Sequence, residues 1–461
     1  MGCLFHANFR GTRRVWLLVW LRVWLALTIC MLAIQPMWFD ADRQMLLSLP
    51  FDKIDQTVLQ HVSIVNEGDA AKKTATTTTV TTSSWSYKCS KHAQALDGHG
   101  SPCYVASTTP QPLQWQTAIN CSSYENVNTV EGNGGRQVLD KVRKGLLESR
   151  DFLAATDTAT TSNSDVVAVP RILCMVYTVD LPNSRRNIDA ILQTWAPHCD
   201  GFLAFSNVTI PERNTVNVLH QGPESYNNMW QKVRSMWFYV HDHYLEDFDY
   251  FHIGGDDVYL VVDNLRTYLM GDQIQDLLVN GTMDVLATYQ ADQLNIHDKV
   301  MRWKTERPRP LFLGFPLAFR KCLFPHGGPG YTLNRAALKI LAQEGLPTVQ
   351  ANLTDSREDV FIAEALRYSG VTVSDTRDAL GGWRYQLNHA QLMFDFHFSP
   401  LKDVAPNLHL GGLEGISSQT VSFHMRFHKG GNVDSDKAIR KYYNVLESMC
   451  EKDAKGGTLL I

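Results

Sequence analysis

The stretch that decides the fold reads Phe248-Asp249-Tyr250-Phe251-His252-Ile253-Gly254-Gly255-Asp256-Asp257-Val258-Tyr259 and continues into Leu260-Val261-Val262. An apolar and aromatic run leads directly into two adjacent carboxylates, which predicts a strand with acidic residues at its carboxyl end. Open α/β sheets bind ligands at that edge. Two carboxylates there repel each other unless a cation lies between them, and Mg²⁺ or Mn²⁺ takes oxygen ligands while leaving positions for phosphates. The stretch is therefore typical of a metal–nucleotide site, although Gly-Asp pairs also form solvated turns.

The composition is that of an ordinary globular protein. The chain has 461 residues, 44% of them hydrophobic and 20% charged, with a net charge of -4. That length suffices for one large or two modest domains. A nucleic-acid binder would show a basic face, so we expect no nucleic-acid partner.

The N-terminus predicts a membrane anchor. Arg10, Arg13 and Arg14 precede an apolar run over residues 15–34, which is about long enough to cross a bilayer as a helix. Arginines before the span keep the N-terminus cytoplasmic and send the rest of the chain across the membrane. Arg22 is a costly defect in the run. A cleaved signal peptide is the alternative, but the run is long for one and no small-residue cleavage site stands out.

The rest of the chain divides by composition. We predict a cytoplasmic tail (1–14), a transmembrane signal anchor (15–39), a partly disordered stem (40–169), a globular domain (170–450) and a C-terminal tail (451–461). Within the stem, Thr74 to Ser84 is low in complexity and has nothing to bury. Helical spacing returns at Val138, Val142, Leu146 and Phe152.

Strand and helix patterns alternate in the globular domain, which implies an α/β fold with a mostly parallel sheet. Strands are predicted at Arg171–Thr178, Phe202–Phe205, Val216–Leu219, Leu311–Gly314 and Val421–His424. Helices are predicted around Ile188–Trp195, at Tyr226–Leu245, at Asp263–Leu269 with Asp263 as the cap, at Arg335–Glu344 and from Arg357 onward.

Cysteines and sequons agree with a lumenal domain. Seven cysteines follow the span, an odd number that leaves at least one without a partner in the chain: Cys89, Cys103, Cys121, Cys174, Cys199, Cys322 and Cys450. Four sequons, which support the compartment only weakly, begin at Asn120, Asn207, Asn280 and Asn352.

Three further patterns bear on the site. The glycines of Cys322–Leu333 allow close approach of backbone to a ligand, although such a run also forms plain turns. Glu358 and Asp359 stand at a helix start, where carboxylates favour the helix dipole even without any other role. His424 ends a short strand, and a lone histidine there is more often structural than a ligand.

These pieces, taken in order, resemble the core 1 β1,3-galactosyltransferases and the wider β1,3-glycosyltransferase group that includes the Fringe enzymes. The resemblance covers roughly residues 170–449, with a poor match after Gly381. The matching segments are Arg171-Ile172-Leu173-Cys174, Thr194-Trp195-Ala196, Trp230-Gln231-Lys232, Tyr244-Leu245-Glu246-Asp247, Asp256 to Arg266, Gly327 to Leu333, Glu358-Asp359, Asp375 to Asp378, and Val421-Ser422-Phe423-His424.

The resemblance implies a GT-A type nucleotide-sugar transferase domain in which Mn²⁺ holds the diphosphate of UDP. It implies metal ligands at Asp256, Asp257 and His424, and a general base at Asp359. It places Thr178, Lys232, Asp256, Gly328 and Tyr331 around the nucleotide sugar. The first carboxylate of the family's acidic triplet is Gly255 here, and the resemblance also implies a disulfide between Cys174 and Cys199.

The implied activity is inverting transfer of galactose from UDP-galactose to N-acetylgalactosamine O-linked to Ser or Thr of a glycoprotein. The resemblance also implies a single-pass type II protein of the Golgi membrane and is compatible with a homodimer. Two alternatives stay open. One is a non-catalytic, chaperone-like relative that lacks the acidic triplet. Gly255 already removes one of the three carboxylates of that triplet. The other is a Fringe-like transferase with a different donor, such as UDP-N-acetylglucosamine.

Overall fold

The structure, a computed structural model, describes residues 86–89, 103–106, 132–160, 169–279, 285–305, 307–319, 322–395, 412–425, 434–447, 450–452 and 458–460. The predicted cytoplasmic tail, signal anchor and Thr-rich stretch lie outside the described residues, as do the sequon asparagines at 120 and 280. No helix within the described ranges combines the length and the hydrophobicity that a membrane crossing requires.

Fifteen strands are formed within those ranges. They are β1 (Ser86–Cys89), β2 (Cys103–Ala106), β3 (Ile172–Tyr177), β4 (Gly201–Ser206), β5 (Thr215–Asn217), β6 (Tyr250–Gly255), β7 (Val258–Leu260), β8 (Phe312–Gly314), β9 (Pro316–Phe319), β10 (Cys322–Pro325), β11 (Tyr331–Asn334), β12 (Tyr385–Gln386), β13 (Ser422–His424), β14 (Cys450–Lys452) and β15 (Thr458–Leu460).

The helices lie mostly between the strands. They are α1 (Asn133–Thr160), α2 (Pro182–Leu192), α3 (Met229–Tyr244), α4 (Val262–Met270), α5 (Asp272–Val279), α6 (Val285–Leu294), α7 (His297–Thr305), α8 (Arg335–Ile340), α9 (Leu346–Thr348), α10 (Glu358–Tyr368), α11 (Ala390–Asp395) and α12 (Ser435–Leu446). Short 3₁₀ turns form at Ala196–His198, Pro211–Arg213 and Tyr226–Asn228, and a π-helical turn forms at Leu341–Gly345.

The central sheet has six strands in the order β5-β4-β3-β6-β11-β8. The first four are mutually parallel, β11 is antiparallel to both of its neighbours, and β8 therefore runs with the majority. This mixed α/β arrangement with a mostly parallel sheet agrees with the predicted fold class. The chain moves outward from β3 to β5 and then returns to β6 on the other side of β3. The carboxyl ends of β3 and β6 thus form the switch point at which open α/β sheets bind ligands.

A second, three-stranded sheet brings the C-terminal part of the chain to that switch point. Its order is β12-β13-β7, and β13 is antiparallel to β7, with His424 opposite Val258. Because Val258 directly follows Asp257, this pairing places the histidine beside the acidic pair. The predicted proximity of two segments far apart in sequence is therefore a consequence of strand pairing.

Helix α3 fills one face of the central sheet. Its aromatic and aliphatic stripe is buried, with Trp230, Val233, Trp237 and Val240 all fully inaccessible to solvent. The helical spacing of these residues in the sequence accounts for the stripe, since it places them on one face of the helix. The helix begins three residues later than predicted because residues 226–228 form a 3₁₀ turn.

Helix α1 lies in the segment predicted as stem, yet it packs into a second hydrophobic core, on the face of the sheet opposite to α3. Val138, Val142 and Leu146 are fully buried, as their spacing predicts, whereas Phe152 is 44% exposed. Lys141 donates to the carbonyl of Leu413 at 2.9 Å. The helix is therefore attached to the globular domain along most of its length.

Two local predictions were wrong. Asp263 does not cap α4, because the N-cap position is Val261 and the Asp263 carboxylate instead pairs with Arg150 of α1. The helix predicted over Arg335–Glu344 is regular only to Ile340. Its last turn widens into a π-helical segment, and a side chain at Gly345 in that segment would collide with the Ala365 backbone.

Candidate functional site

Asp256 lies at the switch point and faces β3. The Thr178 hydroxyl donates to its Oδ2 at 2.5 Å, and the Asn187 amide donates to its Oδ1 at 3.3 Å. Burial raises the pKa of Asp256 to about 6 and the neighbouring Asp257 adds to this, while hydrogen bonds from Thr178, Ser184 and Asn187 act in the opposite direction. Thr178 and Asp256, both predicted to lie around the nucleotide sugar, are thus joined directly.

Asp257 and His424 form a facing pair. The His424 Nε2 atom lies 3.3 Å from Oδ2 of Asp257. The other ring nitrogen, Nδ1, lies 3.1 Å from the carbonyl oxygen of Leu387. Since a carbonyl can only accept, Nδ1 carries the hydrogen, and the lone pair of a neutral ring is on Nε2, toward the carboxylate.

Two acceptors at this distance repel each other unless a proton or a metal ion lies between them. Ligands at right angles on an octahedral cation, each about 2.1 Å from it, are about 3 Å apart, close to the observed separation. A metal-binding histidine commonly donates its other N–H to a backbone carbonyl, as His424 does to Leu387. The donor set of the pair therefore fits a divalent cation.

The glycine-rich turn between β10 and β11 lies against both this pair and α10. A Cβ atom at Gly328 would lie 2.5 Å from Nδ1 of His424, closer than any side chain can approach. The Gly327 amide donates to Oδ2 of Asp359 at 2.9 Å. The turn thus joins the histidine on one side to the predicted base on the other.

Asp359 lies in the first turn of α10 but does not occupy its N-cap position, which is Arg357. Its carboxylate accepts from its neighbour Val360 at 2.8 Å and from Gly327 across the site. Burial raises the pKa of Asp359 to about 6, while the backbone donors at Gly327 and Val360 lower it. Helix capping alone does not account for the bond to Gly327.

Glu358 also lies in the candidate site, although the sequence did not predict this. Its side chain is buried, and its Oε2 atom accepts from the Tyr331 hydroxyl at 3.2 Å. Tyr331 in turn accepts from the Trp237 indole at 3.3 Å. Burial, followed by the charge of Asp359, raises the pKa of Glu358 well above its ordinary value. Its position directly before Asp359 was the available signal, and it admits a simple dipole explanation.

Lys232 and Tyr331 were predicted to contact the nucleotide sugar, and both are buried. The Lys232 ammonium group donates to the Thr178 carbonyl and to the Glu224 carboxylate, the latter at 2.6 Å. Burial lowers the pKa of Lys232, and Glu224 partly offsets that effect. In this structure Lys232 therefore binds the carbonyl of Thr178, the residue that directly follows β3.

A small, open cleft with a volume of about 10 Å³ lies beside the carboxyl ends of β3 and β4 and the start of β5. Polar residues in its lining include Thr178, Asp180, Arg185, Ser206 and Arg213, and aliphatic residues in its lining are Val179, Ile188 and Ile210. Arg185 pairs with Asp180 through two hydrogen bonds of 2.5 Å. The cleft thus adjoins the Thr178–Asp256 contact.

A second cluster of side chains, away from the Asp257–His424 pair, has the most closely spaced potential metal ligands among the described residues. His198, Asp263 and Glu447 place ligand atoms within 4.8 Å of one another, and among the described residues no other three-residue group does so. The guanidinium group of Arg150 binds Asp263 at 2.9 Å and also binds Glu447. Because Arg150 already supplies a cation, we assign no metal there. Asp256 does not complete a comparable group with Asp257 and His424, since it faces Thr178.

The predicted disulfide between Cys174 and Cys199 is present, with an S–S distance of 2.03 Å and a Cα–Cα distance of 6.1 Å. It joins β3 to the start of β4, two strands of the sheet that carries the site. Cys322 is a free thiol among the described cysteines.

No protein-family model matches the chain. The chain is similar to glycoprotein-N-acetylgalactosamine 3-beta-galactosyltransferase 1 of Xenopus laevis, with 28% identity over 209 residues, which are 45% of this chain and 48% of the relative. The chain thus spans about half the length of the curated relative that it matches. The name of this relative states the activity of the family that the ordered motifs resemble. The match therefore confirms the resemblance of this chain to the core 1 β1,3-galactosyltransferases.

Proposed function

We propose that the protein is an inverting β1,3-galactosyltransferase that moves galactose from UDP-galactose to N-acetylgalactosamine O-linked to Ser or Thr of glycoproteins. One observation carries the proposal. Asp257, His424 and Asp359 come from three distant segments, and the glycine-rich turn Gly327–Gly330 contacts both the His424 ring and the Asp359 carboxylate. Sugar transfer from a nucleotide donor requires a bound metal ion and a base close to each other. The Asp257–His424 pair and Asp359 would supply both at the switch point.

Asp257 and His424 would hold the metal, and Asp256 would support it from the side of Thr178. A divalent ion bound there neutralises the charge that develops on a leaving diphosphate. Mixed oxygen and nitrogen donors suit Mn²⁺ better than Mg²⁺.

Asp359 would act as the general base. Inverting transfer needs a carboxylate that removes the proton of the acceptor hydroxyl while its oxygen attacks the anomeric carbon. A pKa near 6 leaves Asp359 mostly ionised at neutral pH and still basic enough to take a proton. The neighbouring Glu358 has a pKa well above its ordinary value, because it is buried and lies beside the charge of Asp359.

We also propose a Golgi type II membrane protein with a single anchor at residues 15–39 and a lumenal globular domain at residues 170–450. The support is the arginine-flanked apolar run and the Cys174–Cys199 disulfide, which is typical of an oxidising compartment. Helix α1 would join the stem to that domain.

The test is transfer by a secreted fragment that keeps residues 132–461 and therefore α1. We would assay UDP-galactose, UDP-N-acetylglucosamine and UDP-glucose on a GalNAc-peptide, with and without Mn²⁺. We expect Mn²⁺-dependent transfer from UDP-galactose. Transfer from another donor would favour the Fringe-like alternative, and UDP binding without any transfer would favour the non-catalytic one.

A further inference from the structure

Tyr177 and Gly255 are neighbours at the switch point. They are the last residues of β3 and β6 and lie opposite each other in the parallel pairing. A Cβ atom at Gly255 would lie 3.5 Å from Cε2 of Tyr177 and 2.6 Å from Oδ1 of Asp257. The tyrosine ring therefore lies beside the space that a side chain at position 255 would enter, on the side where Asp257 faces His424.

The hydroxyl group of Tyr177 points from there toward α10. A Cβ atom at Gly327 would lie 3.5 Å from the Tyr177 hydroxyl oxygen and 3.5 Å from Oδ2 of Asp359. The hydroxyl and the candidate base are thus within about 7 Å of each other, on either side of the glycine-rich turn. Tyr177 spans the distance from the Asp257 side of the site to the Asp359 side.

The phenol is neutral at physiological pH. Burial raises the pKa of Tyr177 well above its ordinary value, and the charges of Glu358, Asp257 and Asp359 add to the effect. A neutral phenol both donates and accepts hydrogen bonds, as a sugar hydroxyl requires of its partner. If a metal at Asp257 holds the diphosphate and Asp359 takes the acceptor proton, the transferred sugar must cross the space between them.

We propose that the Tyr177 hydroxyl contacts the transferred sugar of the nucleotide-sugar donor. This inference rests on the proposed function and adds a donor-contacting residue to it.

The test uses the full-length chain in detergent with Mn²⁺ and compares Tyr177→Phe with the wild type. UDP lacks the sugar, so we expect its dissociation constant to stay within about twofold. The UDP-galactose dissociation constant should rise about 10-fold, the scale of one hydrogen bond in a largely desolvated site, and kcat/KM should fall at least as far. Tyr250→Phe, at the opposite end of β6, is the matched control and should change neither constant.

A second arm leaves the protein intact and varies the ligand. Among UDP-galactose analogues that each lack one sugar hydroxyl, one should bind the wild type about 10-fold more weakly and lose nothing further in Tyr177→Phe, since the two changes remove the same contact. Equal loss of UDP and UDP-galactose, or no loss of either, would overturn the inference while leaving the proposed function standing. Absence of Mn²⁺-dependent UDP binding in the wild type would remove both.

Discussion

Replacement of Arg150 by alanine should destabilise the globular domain strongly. The Arg150 guanidinium binds Asp263 at 2.9 Å and also binds Glu447. The side chains of Asp263 and Glu447 are only 15% and 3% exposed. Tyr259 of β7 donates to the other oxygen of Glu447 at 3.2 Å. One arginine on α1 thus neutralises two carboxylates that water reaches poorly.

The magnitude follows from burial. Removal of one partner from a buried ion pair leaves an uncompensated charge and costs about 3–5 kcal/mol of unfolding free energy. The matched control is Arg136→Ala on the same helix, because Arg136 and Asp140 are 34% and 55% exposed. Loss of such an exposed pair costs about 0.3–0.5 kcal/mol. Arg150→Ala should therefore cost about ten times as much unfolding free energy as Arg136→Ala.

Thermal unfolding of the 132–461 fragment measures the difference. We expect the melting temperature to fall by about 6 °C or more in Arg150→Ala and by less than about 2 °C in Arg136→Ala. Adding Glu447→Gln to Arg150→Ala should recover part of the loss, since it removes the more deeply buried of the two charges. Equal, small shifts in both arginine variants would refute the reasoning, because they would mean that α1 does not dock as described.

Four further predictions concern the site and its support. Asp257→Ala and His424→Ala each remove one group of a pair separated by 3.3 Å, so Mn²⁺-dependent UDP affinity should fall by at least about 10-fold and transfer should stop. Asp359→Asn should keep UDP affinity while lowering kcat by about 100-fold or more. In the wild type, kcat/KM should rise with pH through about 6, because the Asp359 carboxyl group must lose its own proton before it can accept another, and Asp359→Asn should lack this rise. Replacement of Cys174 and Cys199 by alanine should cost about 3.5 kcal/mol of unfolding free energy, since their disulfide closes a loop with a sequence separation of 25.

Four measurements test these predictions: calorimetry of UDP binding, turnover on a GalNAc-peptide, denaturant unfolding and peptide mapping. Unchanged UDP affinity in Asp257→Ala would exclude the metal pair. Near-wild-type turnover in Asp359→Asn would exclude that residue as the base and leave a helix-terminal role. Peptide mapping that finds free thiols at both cysteines would contradict the disulfide.

Several elements of the fold were predictable because their signals are local. The apolar run of β3 and the aromatic stripe of α3 each reveal a buried surface through their spacing. The run into Asp256 and Asp257 correctly predicted a strand, β6, which ends at the switch point of the sheet. Local signals failed where a residue interacts with a distant segment. Asp263 was predicted to cap α4, but its carboxylate pairs with Arg150 of α1.

The candidate site shows the same division. The sequence by itself determined which residue types stand at the strand ends, at the start of α10 and in the glycine-rich turn. Only the tertiary structure decided that Leu387 orients the His424 ring and that Glu358 is a buried acid. It also decided that the ring of Tyr177 lies beside Gly255. Contacts of this kind join segments that are far apart in the chain, and the orientation of each side chain depends on the packing of every element around it.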